Sequence, residues 1–314
     1  MQLTNEPMHL EIRQANIGYD KTLISNASAN LKLGDVCLLI GNNGVGKTTL
    51  IKSILQQASL LNGEILINQK NIKDLSVKET AENIAVVFSK SNIPQHYTVE
   101  DLISLGKYIY YPFYFELKKE DREEISHIID ELDLAQYRHT LLKNLSDGNL
   151  QKAFIGRAIA QNSPVIILDE PTTHLDEKNK LIILKTLRRL AKEQRKIILF
   201  SSHDWRLAKE FADKIWYVKD SQLFSGLVED LLLQHEELTN VSLFHVNENF
   251  VPPSINAPQV HKEMLYSLLQ KNFEKDLSAL HFEYRNSFWE ILIGSSKQQY
   301  ESFEEIVNFI KNIH

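Results

Sequence analysis

The chain has 314 residues but only one cysteine, Cys37, which excludes an internal disulfide and the paired Cys-x-x-Cys spacings of zinc and redox sites. It contains no run of 18 apolar residues, and its first residues include no apolar segment of the signal-peptide type. Secretion and membrane spanning are therefore not expected. The predicted compartment is the cytoplasm.

An excess of positive charge is also missing. Lysine and arginine together number 35, aspartate and glutamate number 41, and the formal net charge is −6. Proteins that bind nucleic acid through bulk charge are cationic, because they neutralise phosphates. We therefore expect no nucleic acid among the partners.

Short apolar runs alternate with helical patterns along the first two thirds of the chain. Strands are predicted at 10–19, 31–40, 63–67, 84–88, 165–168 and 196–200, and helices at 47–58, 149–160 and 177–193. This alternation is typical of a largely parallel sheet with helices on its faces. The more polar helical block at about 99–160 interrupts it and indicates an inserted helical subdomain. The predicted fold class is α/β.

The pattern changes after about residue 231. Three prolines at 247–260 indicate a linker, and the segment beyond it alternates between helix and strand patterns. Helices are predicted at 261–273 and from Ser302, where Glu305 completes a capping box, and strands at 281–284 and 288–293. Residues 241–246 are assigned to the same unit. We therefore expect two domains, residues 1–231 and a smaller α+β domain at 232–314.

The strongest motif is Gly41-Asn42-Asn43-Gly44-Val45-Gly46-Lys47-Thr48, which matches G-x-x-x-x-G-K-[ST] in full. It lies between a predicted strand and a predicted helix, where glycines let backbone N–H groups curl around phosphate oxygens. Lys47 adds a charge for the β- and γ-phosphates. The hydroxyl of Thr48 is a suitable Mg²⁺ ligand. Thr49 is expected to help Lys47 and Thr48 hold the phosphate and the metal.

A second motif is the apolar run at 165–168 followed by Asp169 and Glu170. Ligands of open α/β sheets bind beyond the carboxyl ends of strands, which is where these two carboxylates fall. Asp169 is expected to complete the Mg²⁺ shell and Glu170 to polarise the attacking water as general base. Together with the P-loop, this pair predicts ATP or GTP hydrolysis.

Between these motifs lies Leu145-Ser146-Asp147-Gly148-Asn149, which leads into a predicted helix. Here the sequence resembles the ATP-binding cassette (ABC) ATPase family, whose signature is Leu-Ser-Gly-Gly-Gln followed by a helix. The spacing matches as well, with 99 residues from Lys47 to Ser146 and 23 from Ser146 to Asp169. The resemblance covers about residues 8–228 and implies ATP and Mg²⁺ as cofactors.

The resemblance also implies roles for further residues. Tyr19 would stack on adenine, Asp176 closes the segment that matches the family's D-loop, and His203 would contact the γ-phosphate. Ser146 and Gly148 would close on the γ-phosphate held by a second copy. The resemblance therefore implies a head-to-tail homodimer in which each copy completes the other's site.

Three positions depart from the family pattern. Asp147 replaces a signature glycine, and we expect its carboxylate to point away from the phosphates. Asn149 replaces the signature glutamine. Ser89 stands where the family usually has a glutamine that contacts Mg²⁺, so weaker coupling to the permease is expected.

The number of P-loops and the spacing of the motifs indicate the class of ABC protein. It contains one P-loop, and 99 residues between P-loop and signature cannot hold a long coiled coil. This favours a stand-alone ATPase that docks on separate transmembrane permease subunits at the inner face of the membrane, without contacting the cargo. Residues 98–108 resemble importer ATPases for iron-siderophore, haem and vitamin B12. The alternatives are an exporter ATPase or a soluble ABC ATPase that acts as a nucleotide-gated binding module on a cytosolic partner.

Two segments have no assigned motif. The aromatic cluster of Tyr108, Tyr110, Tyr111, Phe113, Tyr114 and Phe115 is either subdomain core or a socket for the permease. The C-terminal domain is interpreted as a dimer contact or structural support, with regulation as the alternative.

Overall fold

The structure is a computed structural model, which describes residues 9–89, 96–111, 116–173, 175–202, 204, 206–235, 238, 249–285, 288–293 and 296–312. The chain divides into two compact units, residues 1–239 and residues 240–314. This boundary differs from the predicted one at 231/232, because Leu232 and Leu238 pack against the core of the first unit.

The first unit alternates strands and helices along the chain. Its elements are β1 (Leu10–Gly18), β2 (Thr22–Leu31), β3 (Val36–Gly41), α1 (Lys47–Ile54), β4 (Leu60–Ile67), β5 (Lys70–Asn71), α2 (Val77–Asn83), β6 (Ile84–Val87), α3 (Val99–Ser104), α4 (Lys119–Glu131), α5 (Asp147–Ala160), β7 (Val165–Leu168), α6 (Glu177–Gln194), β8 (Ile197–Ser201), α7 (Arg206–Phe211), β9 (Lys214–Lys219), β10 (Gln222–Leu227) and α8 (Val228–Gln234).

These strands form two sheets. A four-stranded antiparallel sheet has the order β2-β1-β4-β5, and a six-stranded sheet has the order β10-β9-β3-β8-β7-β6. In the larger sheet every pair is parallel except β10 with β9. Leu38 of β3 packs into one hydrophobic core and Cys37 into another, so this sheet is buried on both faces. The predicted α/β class is confirmed.

The predicted strand at 31–40 is confirmed at 36–40 but does not extend back to 31. Two strands occupy this stretch: β2 ends at Leu31 and β3 begins at Val36. Between them Gly34 adopts φ +96°, and the carboxylate of Asp35 accepts a hydrogen bond from the backbone N–H of Lys32 at 2.8 Å. This turn was hidden because apolar residues lie on both sides of it. The strands β2, β9 and β10 were also not predicted.

In its described residues the inserted block at 99–160 contains three α-helices, and the last of them, α5, is held against the edge strand β6. The guanidinium of Arg157 donates to the carbonyl of Val86 at 3.0 Å, and the amide of Gln161 donates to the carbonyl of Ile84 at 2.9 Å. Arg157 and Gln161 are one helical turn apart, and the two carbonyls alternate along the strand. The helix therefore covers the open edge of the sheet.

The described residues of the second unit form a sheet with two helices. Its elements are β11 (Ser254–Asn256), α9 (Gln259–Asn272), β12 (His281–Arg285), β13 (Phe288–Ile293), β14 (Ser296–Tyr300) and α10 (Phe303–Asn312). The sheet order is β11-β12-β13-β14. The predicted helices and the strands at 281–284 and 288–293 are confirmed, as is the capping box between Ser302 and Glu305. The prediction at 241–246 lies outside the described residues, and β11 and β14 were not predicted.

No helix in the described ranges of either unit is long and apolar enough to cross a lipid bilayer.

Replacing Gly106 with alanine should destabilise the first unit by about 1–3 kcal/mol, because the added methyl group overpacks a tight junction. A Cβ at Gly106 would lie 2.3 Å from the carbonyl oxygen of Arg157. Urea unfolding followed by far-UV circular dichroism measures the change. The control is Gly226→Ala, where the nearest atom to the new Cβ is Leu231 Cγ at 3.6 Å. Equal unfolding midpoints for the two variants would contradict this packing.

Candidate nucleotide site

The P-loop connects the end of β3 to the start of α1. Gly46, the N-cap of α1, has φ +109°, a conformation that strains other residues, and it provides no side-chain cap. A Cβ at Gly41 would lie 2.6 Å from the carbonyl oxygen of Val218 on β9. The first amides of α1 are therefore left for an outside acceptor, as at anion sites. Within the loop, the N–H of Val45 donates to the carbonyl of Asn42 at 3.4 Å.

Lys47 is buried beneath this loop, with 7% of its surface exposed. Its ammonium donates to the carbonyl oxygens of Gly41 at 2.7 Å and Asn42 at 3.1 Å. Burial lowers the pKa of Lys47, while the nearby carboxylates of Glu170 and Asp169 act in the opposite direction. A cation held only by neutral carbonyls can exchange them for phosphate oxygens with a gain in electrostatic energy.

The carboxylate of Asp169 joins three elements at the end of β7. Its Oδ2 accepts a hydrogen bond from Thr48 Oγ1 on α1 at 3.1 Å, and its Oδ1 accepts one from Ser201 Oγ on β8 at 2.6 Å. Asp169 is almost fully buried, at 4% exposure. A direct hydrogen bond thus joins Thr48 and Asp169, the two residues predicted as Mg²⁺ ligands.

Glu170 follows with an unusual backbone conformation. Its φ is +53°, in the left-handed region that few residues other than glycine adopt. Its N–H donates to Ser201 Oγ at 2.9 Å, and its carboxylate accepts a hydrogen bond from Thr173 Oγ1 at 3.4 Å. Such strain at a strand end is typical of functional sites. Glu170 is therefore positioned from both its backbone and its side chain.

Ser201 is the site residue that the sequence did not predict. It is fully buried, donates to Asp169 and accepts from Glu170, so it links the two carboxylate residues. Because β7 and β8 are adjacent and parallel, their carboxyl ends meet at the same edge. The sequence signal that could have identified Ser201 is its position at the end of β8, the next strand after the Asp169-Glu170 pair.

The signature residues lie at the start of α5. Ser146 caps this helix by accepting a hydrogen bond from the N–H of Asn149 at 3.4 Å, as its residue type predicts. Asp147 is exposed in the first turn. In the described residues no hydrogen bond connects Ser146 or Gly148 with the P-loop of the same chain.

Asp176 has a structural role at the neighbouring helix. It caps α6 by accepting from the N–H of Asn179 at 2.7 Å, and it also accepts from the side-chain amide of Asn179 at 3.0 Å. A Cβ at Gly148 would lie 3.3 Å from that same amide nitrogen. The structure therefore brings Asp176 to the signature through Asn179, while its predicted contact with nucleotide stays a prediction.

The remaining predicted residues surround this centre. Tyr19 is 56% exposed, just beyond β1. Thr49 is half-buried in the first turn of α1, Asn43 and Gly44 are exposed in the loop, and Ser89 is exposed two residues beyond β6. His203 lies outside the described residues.

The donors present fit the groups that the motifs imply. A hydroxyl and a carboxylate meet at Thr48 and Asp169, and Mg²⁺ prefers oxygen ligands of this kind. Uncapped amides and the ammonium of Lys47 lie beside them, as a polyphosphate requires. The arrangement fits a nucleoside triphosphate, with the carboxylate of Glu170 at its edge.

Comparison with known proteins places this site in a family. A match described as ABC transporter covers residues 24–173. The iron(3+)-hydroxamate import ATP-binding protein FhuC of Bacillus subtilis is 32% identical over 276 residues, which is 85% of this chain and 98% of that protein. The achromobactin transport ATP-binding protein CbrD of Dickeya dadantii is 30% identical over 249 residues, 78% of this chain and 91% of that protein.

A solved structure agrees with these relatives. The dimeric bacterial ABC transporter cassette MJ0796 has a TM-score of 0.63 and 25% identity to this chain, over 70% of this chain and 98% of that one. The chain belongs to the ABC transporter family of ATP-binding proteins, and like them it is an ATPase. The predicted family, fold and enzyme class are confirmed.

Replacing Ser201 with alanine should lower ATPase activity about 10-fold or more, because a hydrogen bond to a charged group contributes about 1.5–3 kcal/mol. It should also raise the Mg²⁺ concentration needed for half-maximal activity, since Asp169 loses its orientation. Steady-state ATPase assays at varied Mg²⁺ measure both effects. The control is Ser53→Ala, which removes another fully buried serine hydroxyl of the first unit. Equal Mg²⁺ requirements in the two variants would contradict the role of Ser201.

Proposed function

We propose that this chain is the ATP-hydrolysing subunit of an importer for iron-siderophore, haem or cobalamin-type cargo. It works as a homodimer at the cytoplasmic face of the membrane, on separate permease subunits, and does not contact the cargo. The observation that carries this proposal is the hydrogen-bonded centre of Thr48, Asp169 and Ser201, with Glu170 beside it.

Binding of ATP begins with its phosphates at the P-loop. The amide N–H groups at the start of α1 donate hydrogen bonds to the phosphate oxygens, and the ammonium of Lys47 turns from the carbonyls of Gly41 and Asn42 to the β- and γ-phosphates. Tyr19 is exposed and lies where its ring can stack on the adenine. These residues bind and orient the substrate.

The hydroxyl of Thr48 and the carboxylate of Asp169 would hold Mg²⁺ between them. When bound, the ion neutralises part of the phosphate charge that develops during hydrolysis. Ser201 keeps the Asp169 carboxylate oriented by donating to its other oxygen. The pair is therefore preorganised for the metal.

Glu170 acts as the general base. Its carboxylate accepts a proton from the water that attacks the γ-phosphate. The hydrogen bond from Thr173 Oγ1 restricts the rotation of this carboxylate. His203 is assigned to the γ-phosphate on the family resemblance alone. Ser146 and Gly148 of a second copy would close the site at the start of its α5, where the helix dipole favours an anion.

The cargo class rests on the relatives. Proteins named for iron(3+)-hydroxamate import, achromobactin transport and petrobactin import are 29–32% identical to this chain over 69–85% of its length. The segment 98–108 independently resembles importer ATPases of this kind. In this architecture the permease selects the cargo, so the proposal names a class rather than one compound.

The second candidate is a soluble ABC ATPase that acts as a nucleotide-gated module on a cytosolic partner. An exporter ATPase is a further alternative. Both share the ATP site, and they differ in the partner. Recovery of the native complex with its permease and identification of that permease would separate all three.

Replacing Glu170 with glutamine should trap an ATP-bound dimer, because the base is lost while binding is kept. Turnover should fall by about 10²–10⁴-fold. Size-exclusion chromatography with and without MgATP measures the dimer, and phosphate release measures turnover. Glu193→Gln, an exposed glutamate on α6 paired with Arg189, serves as the control. A Glu170→Gln chain that stays monomeric at saturating MgATP beside its permease would refute the proposed mechanism.

Among the described members of the aromatic cluster, Tyr108 is 60% exposed and Tyr110 49% exposed, whereas the hydroxyl of Tyr111 is bonded to Asp121. If this cluster binds the permease, Tyr108→Ala should reduce cofractionation with permease-containing membranes about 10-fold, because exposed aromatic anchors dominate protein contacts. ATPase activity of the purified chain should not change. Leu61→Ala, which removes another exposed apolar side chain, should leave cofractionation intact. Phe113, Tyr114 and Phe115 lie outside the described residues.

A further inference from the structure

The second unit carries a groove on the outer side of α9. Six residues of this helix, three or four positions apart in most cases, line the groove together with Phe303 of α10, and its volume is about 460 Å³. Side chains at such spacing share one face of a helix. The six residues, called the outer face of α9, are Val260, Glu263, Met264, Ser267, Leu268 and Lys271.

Two apolar residues of the outer face are open to solvent. Val260 is 58% exposed and Met264 is 55% exposed. The other side of the helix is already used, because Leu265 and Leu269 are fully buried in the core of the second unit. The outer face is therefore apolar surface beyond what this core needs, and such surface is typical of protein contacts.

Two opposite charges lie on the same face. Glu263 is near the start of α9, and Lys271 is in its last turn, two helical turns further on. The carboxylate of Glu263 accepts a hydrogen bond from Gln259 at 2.7 Å. Within the ranges that the structure describes, neither Glu263 nor Lys271 forms an ion pair. The face thus has a negative end and a positive end.

We propose that the outer face of α9 binds the same face of a second copy of this chain, with the two helices antiparallel about a two-fold axis. Lys271 of each chain then reaches Glu263 of the partner subunit. The two-fold axis then passes by Ser267, which faces Ser267 of the partner subunit, so a small side chain lies at the centre of the contact. A parallel arrangement would instead bring like charges together. An isologous contact of this kind requires a face that is complementary to itself.

Two arguments select a second copy as the occupant. When two copies of α9 lie antiparallel, the negative end of each helix lies beside the positive end of the other. An unrelated partner would not require the two charges to be arranged in this way. The proposed ATP-driven dimer also brings two copies together, which raises the effective concentration of each face for the other. The inference goes beyond that dimer, because this contact holds two chains together without nucleotide.

The test uses the full chain in the absence of nucleotide, with the dimer followed by sedimentation velocity. The wild-type chain should be dimeric at about 100 µM. Glu263→Lys and Lys271→Glu should each weaken the dimer about 10-fold, because each places like charges together at two symmetry-related positions. Lys262→Glu is the matched control, since Lys262 is exposed on the same helix but does not line the groove.

Two rescues make the result specific. The double variant Glu263→Lys with Lys271→Glu should regain the wild-type dimer, and a mixture of the two single variants should form a heterodimer. Failure of both rescues in chains with unchanged circular dichroism overturns the proposal, and so does a monomeric wild-type chain. Met264→Ser is an uncharged second probe, and an unweakened dimer in that variant also overturns it. The MgATP-dependent dimer of Glu170→Gln is measured separately in the Lys271→Glu background, where the nucleotide-free contact is weakened, so the two proposals succeed or fail independently.

Discussion

Each oxygen of the Asp169 carboxylate accepts a hydrogen bond from a different hydroxyl, one from Thr48 on α1 and one from Ser201 on β8. A buried carboxylate is costly unless its oxygens are paired, so the ends of these elements must meet at one point. The position of the P-loop relative to β7 follows from this requirement. Glu170, the next residue, is then delivered to the same edge with its N–H held by Ser201. The chemistry of the cassette depends on this small hydrogen-bonded centre.

Much of this centre could be predicted from the sequence, because most of its functional residues lie in short contiguous motifs. The P-loop needs glycines at fixed positions, and the run at 165–168 is too apolar and too short for anything but a buried strand. Ser201 could not be found in this way. It reaches Asp169 only because β8 lies beside β7, and strand neighbours are set by the whole sheet rather than by local pattern. The turn at Gly34 was missed for a different reason. Its glycine is a local turn signal, but the apolar residues on both sides make the stretch resemble one continuous strand.

The two units differ in how much of their functional surface could be predicted from sequence patterns. In the first, the ATP site draws on motifs that physics constrains tightly, and family resemblance adds roles for Ser146 and Gly148 that a single chain cannot display. In the second, helices and strands could be predicted from periodicity, but the outer face of α9 could not. Val260 and Met264 fit a buried helix as well as an exposed one, and only the structure places Leu265 and Leu269 in the core on the other side.

The hydrogen bonds from Arg157 and Gln161 to the carbonyls of β6 have a consequence for solubility. An unpaired edge strand is a template for intermolecular β-pairing, and these two side chains occupy the acceptors that such pairing would use. At the opposite edge, Ser225 of β10 donates to the carbonyl of Ser28 in the smaller sheet at 3.2 Å. The central sheet is therefore protected against aggregation by growth at its margins.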